Sequence, residues 1–151
     1  MPLVAKSSCL LMSHKMKKWL SLDRIIRAKD VMSDDVTLVD ISTSIKDAAK
    51  KMIDSKGNSI IVLEDSAPVG IVTYKDLVRK SITITNSANV PIQHIMSSPL
   101  IHSGPDQSIW EVVDLMYARD IKTIPIIDEY DKLLGIVNLM DVFKVLSLSR
   151  N

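Results

Sequence analysis

The sequence predicts an α/β (α+β) fold built from two pseudo-symmetric β-α-β-β-α units packed sheet to sheet. The first observation behind this is an internal repeat. At an offset of 64 residues, Asp30-Val-Met-Ser33 falls on His94-Ile-Met-Ser97, Ser44-Ile45 on Ser108-Ile109, Met52 on Met116 and Ile60 on Ile124. One extra residue then moves the register to 65, so that Gly70-Ile-Val72 meets Gly135-Ile-Val137 and Asp76 meets Asp141. The second observation is that each copy switches from helical to strand periodicity at the same place. The third is length: 151 residues suit one compact body, and the repeat is longer than that of most solenoid families.

Each element follows from its residues. Ser44 opens an amphipathic helix with Ile45, Ala48, Ala49, Met52 and Ile53 on one face, and Ser44 with Asp47 fits a capping box. The second copy repeats this with Ser108 and Glu111 ahead of Ile109, Val112, Val113 and Met116. The apolar runs Ile60-Ile-Val-Leu63 and Ile124-Pro-Ile-Ile127 read as buried strands. Polar turns follow, Glu64 to Pro68 and Asp128 to Lys132, and the inserted residue belongs there because a hairpin tolerates it. Return strands Val69-Gly-Ile-Val72 and Leu133-Leu-Gly-Ile-Val137 come next. Gly70 and Gly135 lie inside them, a signal of close backbone approach. Final helices begin near Thr73 and Asn138.

The predicted boundaries are an N-terminal extension at 1–27, repeat 1 at 28–82, a polar connection at 83–91, repeat 2 at 92–147 and a tail at 148–151. Within the extension, His14-Lys-Met-Lys-Lys-Trp-Leu20 reads as a basic amphipathic helix laid on the body.

Composition excludes several classes. Nineteen basic and eighteen acidic residues leave no global field for nucleic acid or an anionic membrane. Cys9 stands alone, and His14, His94 and His102 show no ligand spacing, so neither a disulfide framework nor zinc is expected. No apolar run reaches the roughly eighteen residues of a membrane span. The expected location is the cytoplasm. The sequence offers no nucleophile–base constellation, no metal spacing and no Gly-rich phosphate loop, so no enzyme and no required cofactor are expected.

Together, Gly70-Ile-Val-Thr-Tyr-Lys-Asp76, Gly135-Ile-Val-Asn-Leu-Met-Asp141, Ile124-Pro-Ile-Ile-Asp128 and Asp30-Val-Met-Ser33 resemble the CBS domain, over roughly residues 25–147. The resemblance implies a tandem pair, often called a Bateman module. Such pairs bind adenine nucleotides (AMP, ADP, ATP) or S-adenosylmethionine between the repeats, commonly form homodimers, and pass the signal to an effector protein. Here that effector is expected to be a separate, unidentified chain. The competing reading is a ligand-free module that dimerises and docks a partner enzyme or transporter.

The resemblance assigns phosphate to Thr73 and ribose to Asp76, and by symmetry gives the same roles to Asn138 and Asp141. Asn138 departs from the hydroxyl pattern. Asn58 and Lys122, each just before a buried strand, reach the phosphates. Backbone at Ser59-Ile60 and Thr123-Ile124 meets the adenine edge, with Val36-Thr37 or Leu100-Ile101 lining the pocket. The chemistry agrees, since a hydroxyl at a helix start suits phosphate and a carboxylate accepts two hydrogen bonds from a ribose diol. Yet Thr73-x-x-Asp76 is also a capping box that needs no ligand, and Asn138-x-x-Asp141 a related cap. Met32 and Met96 flank the base or fill the core, and Trp19 and Trp110 pack or meet a partner. The expected clefts group Thr73 and Asp76 with Asn58, favouring AMP or no ligand, and Asn138 and Asp141 with Lys122, favouring di- or triphosphates.

Overall fold

The two copies exchange their leading segments in the computed structural model, which describes residues 26–148. The extension helix expected around His14–Leu20, with Trp19 in it, lies outside the described residues. Along the chain come α1 (Ala28–Val31), β1 (Leu38–Asp40), α2 (Ile45–Ser55), β2 (Ser59–Glu64), β3 (Ala67–Thr73) and α3 (Tyr74–Ser81). Two short 3₁₀ turns, Ser87–Asn89 and Ile92–His94, lead to α4 (Ile109–Arg119), β4 (Thr123–Ile127), β5 (Leu133–Asn138) and α5 (Leu139–Leu148).

Capping chemistry starts the paired helices where the sequence indicates. The Ser44 hydroxyl accepts from the Asp47 N–H at 3.1 Å. Ser108 and Glu111 close the full reciprocal box, at 3.2 and 2.9 Å. Both helices end on a left-handed residue, Lys56 (φ 54°) and Asp120 (φ 51°).

In the first sheet β1 runs parallel to β2, and β2 pairs antiparallel with β3. In the second, β4 pairs antiparallel with β5. Both hairpins shift register at the same place, between Val62 and Leu63 and between Ile126 and Ile127. The extra residue lies in the second turn. Asp65 and Ser66, both at positive φ, make a tight two-residue turn in the first hairpin. In the longer second turn the Asp128 carboxylate accepts from the N–H groups of Tyr130 and Lys132.

Repeat 2 departs from the expected pattern at its first strand, which shrinks to a single parallel bridge from Ser103 to Ile126. Gly104 and Pro105 follow at once. Glycine weakens a strand and proline has no N–H for the ladder, so pairing stops.

Sequence neighbours do not share a core. Ala28 and Val31 pack with Ile109, Val112, Met116, Ile124, Ile126, Val137 and Val142 of repeat 2. Ile92 and Ile95 pack with Val39, Ile45, Ala48, Met52, Ile60, Val62 and Val72 of repeat 1. Backbone bonds mirror the exchange. The Ile45 N–H donates to the Val90 carbonyl at 2.8 Å, and the Ile109 N–H to the Ile26 carbonyl at 3.0 Å. Ser33 exchanges both hydrogen bonds with Ile136, at 2.8 and 2.9 Å, and Ser97 does so with Ile71, at 2.9 and 3.2 Å.

A Cβ on Gly135 would lie 2.5 Å from the Ser33 carbonyl oxygen, and one on Gly70 2.6 Å from the Met96 sulfur. The two strand glycines therefore mark where the exchanged segments cross. Lys29 also grips Asp106 at 2.8 Å, and its hydrogen bond and charge hold that carboxyl below the ordinary carboxylate range.

Strand alternation gives each sheet a second buried face. Ile60 and Val62 point to a helix-side core, whereas Ile61, between them, is equally buried outside it. Ile136 stands in the same relation to Val137. These faces bring the sheets together.

Candidate functional site

A cavity of about 400 Å³ opens where repeat 1 meets the start of α5. Its wall from repeat 1 is Ser33, Asp35, Thr37, Ser55, Lys56, Gly57, Asn58 and Ser59. Its wall from repeat 2 is Ile136, Asn138, Asp141 and Lys144. The volume is in the range of small-molecule sites. The Ser33–Ile136 bridge builds one end of it by tying Ser33 to the open edge of β5, while the Ile61 N–H donates to the Thr37 carbonyl at 2.9 Å and holds that residue against β2. The left-handed end of α2 then turns residues 55–59 toward the same space.

Local hydrogen bonding fixes the walls. The Thr37 hydroxyl donates to Ser55 Oγ at 2.9 Å, and Ser55 in turn donates to the Met52 carbonyl at 3.1 Å. The Asn138 side-chain oxygen accepts from the Thr123 hydroxyl at 2.8 Å, a consequence of the Thr123–Asn138 strand register. That leaves the Asn138 amide N–H₂ without a partner among the described residues. The Asp141 carboxylate accepts no hydrogen bond among the described residues, and it meets only the Lys144 ammonium, at 3.8 Å. Its side chain keeps 30% of its surface exposed. A carboxylate so placed has its lone pairs open to a diol.

Thr73 and Asp76 are arranged differently. Asp76 Oδ2 accepts from the Thr73 backbone N–H at 2.9 Å and from the Thr73 hydroxyl at 3.1 Å. Lys80 approaches the other carboxylate oxygen at 3.7 Å and donates to the Ile95 carbonyl at 2.7 Å. Here the two residues satisfy one another at the helix start.

The expected grouping of residues is crossed. Asn58 lies in the cavity of Asp141 instead of accompanying Thr73 and Asp76, and Lys122 does not line that cavity. The reason is the exchange of segments, which sets the strand entry of one repeat against the helix start of the other. A contact on the opposite side agrees: Lys75, next to Asp76, reaches Asp120, near Lys122, at 3.9 Å. The cavity brings together Thr37, Asn58, Ser59, Asn138 and Asp141 of the expected residues, without Thr73, Asp76, Ile60, Thr123, Ile124 or Ile101. The Ile60 and Ile124 side chains are fully buried in the two cores. Met32 and Met96 pack against those cores over the strand glycines. Partly buried Trp110 packs against the repeat 2 core, and its indole N–H is unpaired among the described residues.

Sequence reading missed Asp35, Ser55, Lys56, Gly57 and Lys144. Lys144 was findable as the residue one helical turn beyond Asp141. The others needed the crossing of the repeats.

With this duplicated geometry established, the CBS domain family matches residues 28–83 and 92–148. The chain belongs to the CBS domain family. An uncharacterized protein of Methanopyrus kandleri is 35% identical to this CBS pair over 121 residues, covering 80% of the chain and 60% of that protein. The CBS domain-containing protein YhcV of Bacillus subtilis is 29% identical over 114 residues, covering 76% of the chain and 81% of YhcV. Thus the pair spans 60% of the first relative's length and 81% of the second's. Among solved structures, the CBS domain pair of protein MJ0100, in complex with 5′-methylthioadenosine and S-adenosyl-L-methionine, superposes with a TM-score of 0.75. It is 26% identical, and the match covers 83% of this chain and 99% of that one. Among the described residues no helix is long and apolar enough to cross a membrane.

Proposed function

We propose that this CBS pair is a regulatory module that binds an adenosyl ligand in the cavity between its repeats and signals its occupancy to an effector protein. The observation that carries the reading is the Asp141 carboxylate, which lacks a hydrogen bond among the described residues and lines a polar cavity walled by both repeats. Asp141 takes the ribose diol, and the free amide of Asn138 donates to a ligand acceptor. Thr37, Asn58 and Ser59 offer neutral polar groups to the base. MJ0100, a pair of similar architecture, is seen with two adenosyl compounds, which supports the ligand class. Because the walls come from different repeats, occupancy links them. A ligand can shift the pair only to the extent that it binds one arrangement better than the other. AMP, ADP and ATP are the nucleotides to test first, with adenosine as the common element.

Isothermal titration of adenosine and AMP into the full chain tests this. Hydrogen bonds to a charged group are worth about 1.5–3 kcal/mol. Asp141→Ala should therefore weaken binding by about tenfold or more. Asp76→Ala should leave binding in place but lower stability by about 0.5–2 kcal/mol, as loss of a helix cap does. If wild-type protein binds neither compound, the ligand-free docking reading replaces this one.

The same reading includes a homodimer. Exposed apolar residues recur at matched positions of the two repeats, Ile53 with Tyr117 and Val78 with Phe143, each more than half exposed. A surface repeated about a pseudo-two-fold axis is suited to meet a second copy of itself.

A further inference from the structure

Away from the cavity between the repeats, repeat 2 carries a second one, of about 640 Å³, between the start of α4 and the β4–β5 turn. Four carboxylates line it, Asp106, Glu111, Asp128 and Glu129, and no lysine or arginine does. Glu111 uses one oxygen in its helix cap, and Asp128 uses one in its turn. Their other oxygens, and both of Glu129, accept no hydrogen bond among the described residues. Like charges gathered in this way repel one another, and a cation among them relieves the repulsion.

The chain itself brings cations to the rim of this cavity. Ala28 and Lys29 donate their N–H groups to the carbonyls of Gln107 and Pro105, at 2.9 and 3.0 Å, and the Ile26 carbonyl accepts from the Ile109 N–H at 3.0 Å. Followed toward its N-terminus, this arm therefore runs from Pro105 to the first turn of α4, which holds Glu111. The Arg27 guanidinium donates to the Asp106 carbonyl, and the Lys29 ammonium to the Asp106 carboxylate, both at 2.8 Å. Ahead of Ile26 the sequence carries Lys6, Lys15, Lys17, Lys18 and Arg24 against the single acid Asp23. The corresponding arm of repeat 1 is different. Pro91 and Gln93 stand where Arg27 and Lys29 do, Ser42 stands where Asp106 does, and residues 81–89 ahead of that arm carry no charge. The basic arm and the carboxylate that receives it occur together in one repeat and are missing together from the other.

We propose that the basic segment Lys15–Arg24 of this chain docks in the acidic cavity of repeat 2, continuing the contact that Arg27 and Lys29 begin. Lys18 precedes Ile26 by eight residues, which span about 12 Å as a helix and about 28 Å extended, so either form reaches across the cavity. Arg24, nearest the arm, meets Glu111, and the lysines meet Asp128 and Glu129. The contact is electrostatic and lies at an open surface, so salt weakens it.

The test is zero-length carbodiimide cross-linking of a mixture of isotopically light and heavy full chain, read by mass spectrometry. Lys15, Lys17 or Lys18 should link to Glu111, Asp128 or Glu129 within chains of one isotope, and the yield should fall in high salt. Limited trypsin digestion gives a second readout. Glu111→Gln with Glu129→Gln removes two charges and keeps the helix cap, which glutamine also closes. Trypsin should cut after Lys17 and Lys18 about fivefold or more faster in this variant than in wild type, as the docked fraction falls. Links between light and heavy chains would assign the cavity to the segment of a second copy and overturn the docking within one chain. Links only to carboxylates elsewhere, no links at all, or cleavage indifferent to the variant would overturn it as well.

Discussion

A methyl group at Gly135 has nowhere to go, because the atom it meets at 2.5 Å is the backbone oxygen of Ser33, which accepts from the Ile136 N–H while the Ser33 N–H donates back to the Ile136 carbonyl. At Gly70 the nearest atom is the sulfur of Met96, a flexible side chain, with the Ser97 carbonyl further off at 3.1 Å. Gly135→Ala should therefore destabilise by about 1–3 kcal/mol, the usual range for overpacking, and Gly70→Ala by less. Chemical denaturation of both variants checks the order, and equal losses would show that the Ser33 segment yields as easily as a methionine side chain. Residue chemistry also explains why the two aspartates differ. Repetition makes Asp76 and Asp141 look equivalent in the sequence. What separates them is a neighbour: the Thr73 hydroxyl donates to Asp76, whereas the Asn138 oxygen turns away to accept from Thr123. The ribose candidate was legible from its position, but its freedom to bind was not, because that depends on Asn138 bonding to Thr123, fifteen residues from it on another strand.

Helix starts, strand runs and the hairpin insertion were all readable, because capping boxes, alternation and turn residues act locally. What periodicity left hidden was the exchange of α1 and the Ile92–His94 turn between repeats. A buried apolar face shows that a segment packs, and not against which core. From this came the crossed cleft grouping, with Asn58 paired to the wrong aspartate. The exchange makes a specific prediction. Ile95 is fully buried in the repeat 1 core although it precedes the elements of repeat 2. Ile95→Ala should cost about 2–5 kcal/mol. Under native conditions, hydrogen exchange should then accelerate first in α2, β2 and β3, ahead of α4, β4 and β5. Faster exchange confined to repeat 2 would contradict the exchange.

At the scale of the whole molecule, two symmetric halves carry one open carboxylate and one capped one, so the pair is symmetric in fold and asymmetric in chemistry. The proposed homodimer would use the symmetric part. Light scattering at micromolar concentration should return twice the 16.8 kDa chain mass, and Val78→Asp with Phe143→Asp should return the monomer. A monomer in the wild type would remove the dimer. The proposed ligand binding would use the asymmetric part, and a crystal structure of the full chain grown with adenosine tests it most directly. The account predicts the ribose on Asp141, with Thr37, Asn58 and Ser59 of the other repeat against the base. Adenosine seated on Asp76 with the Asp141 cavity empty, or bound within a single repeat, would contradict it.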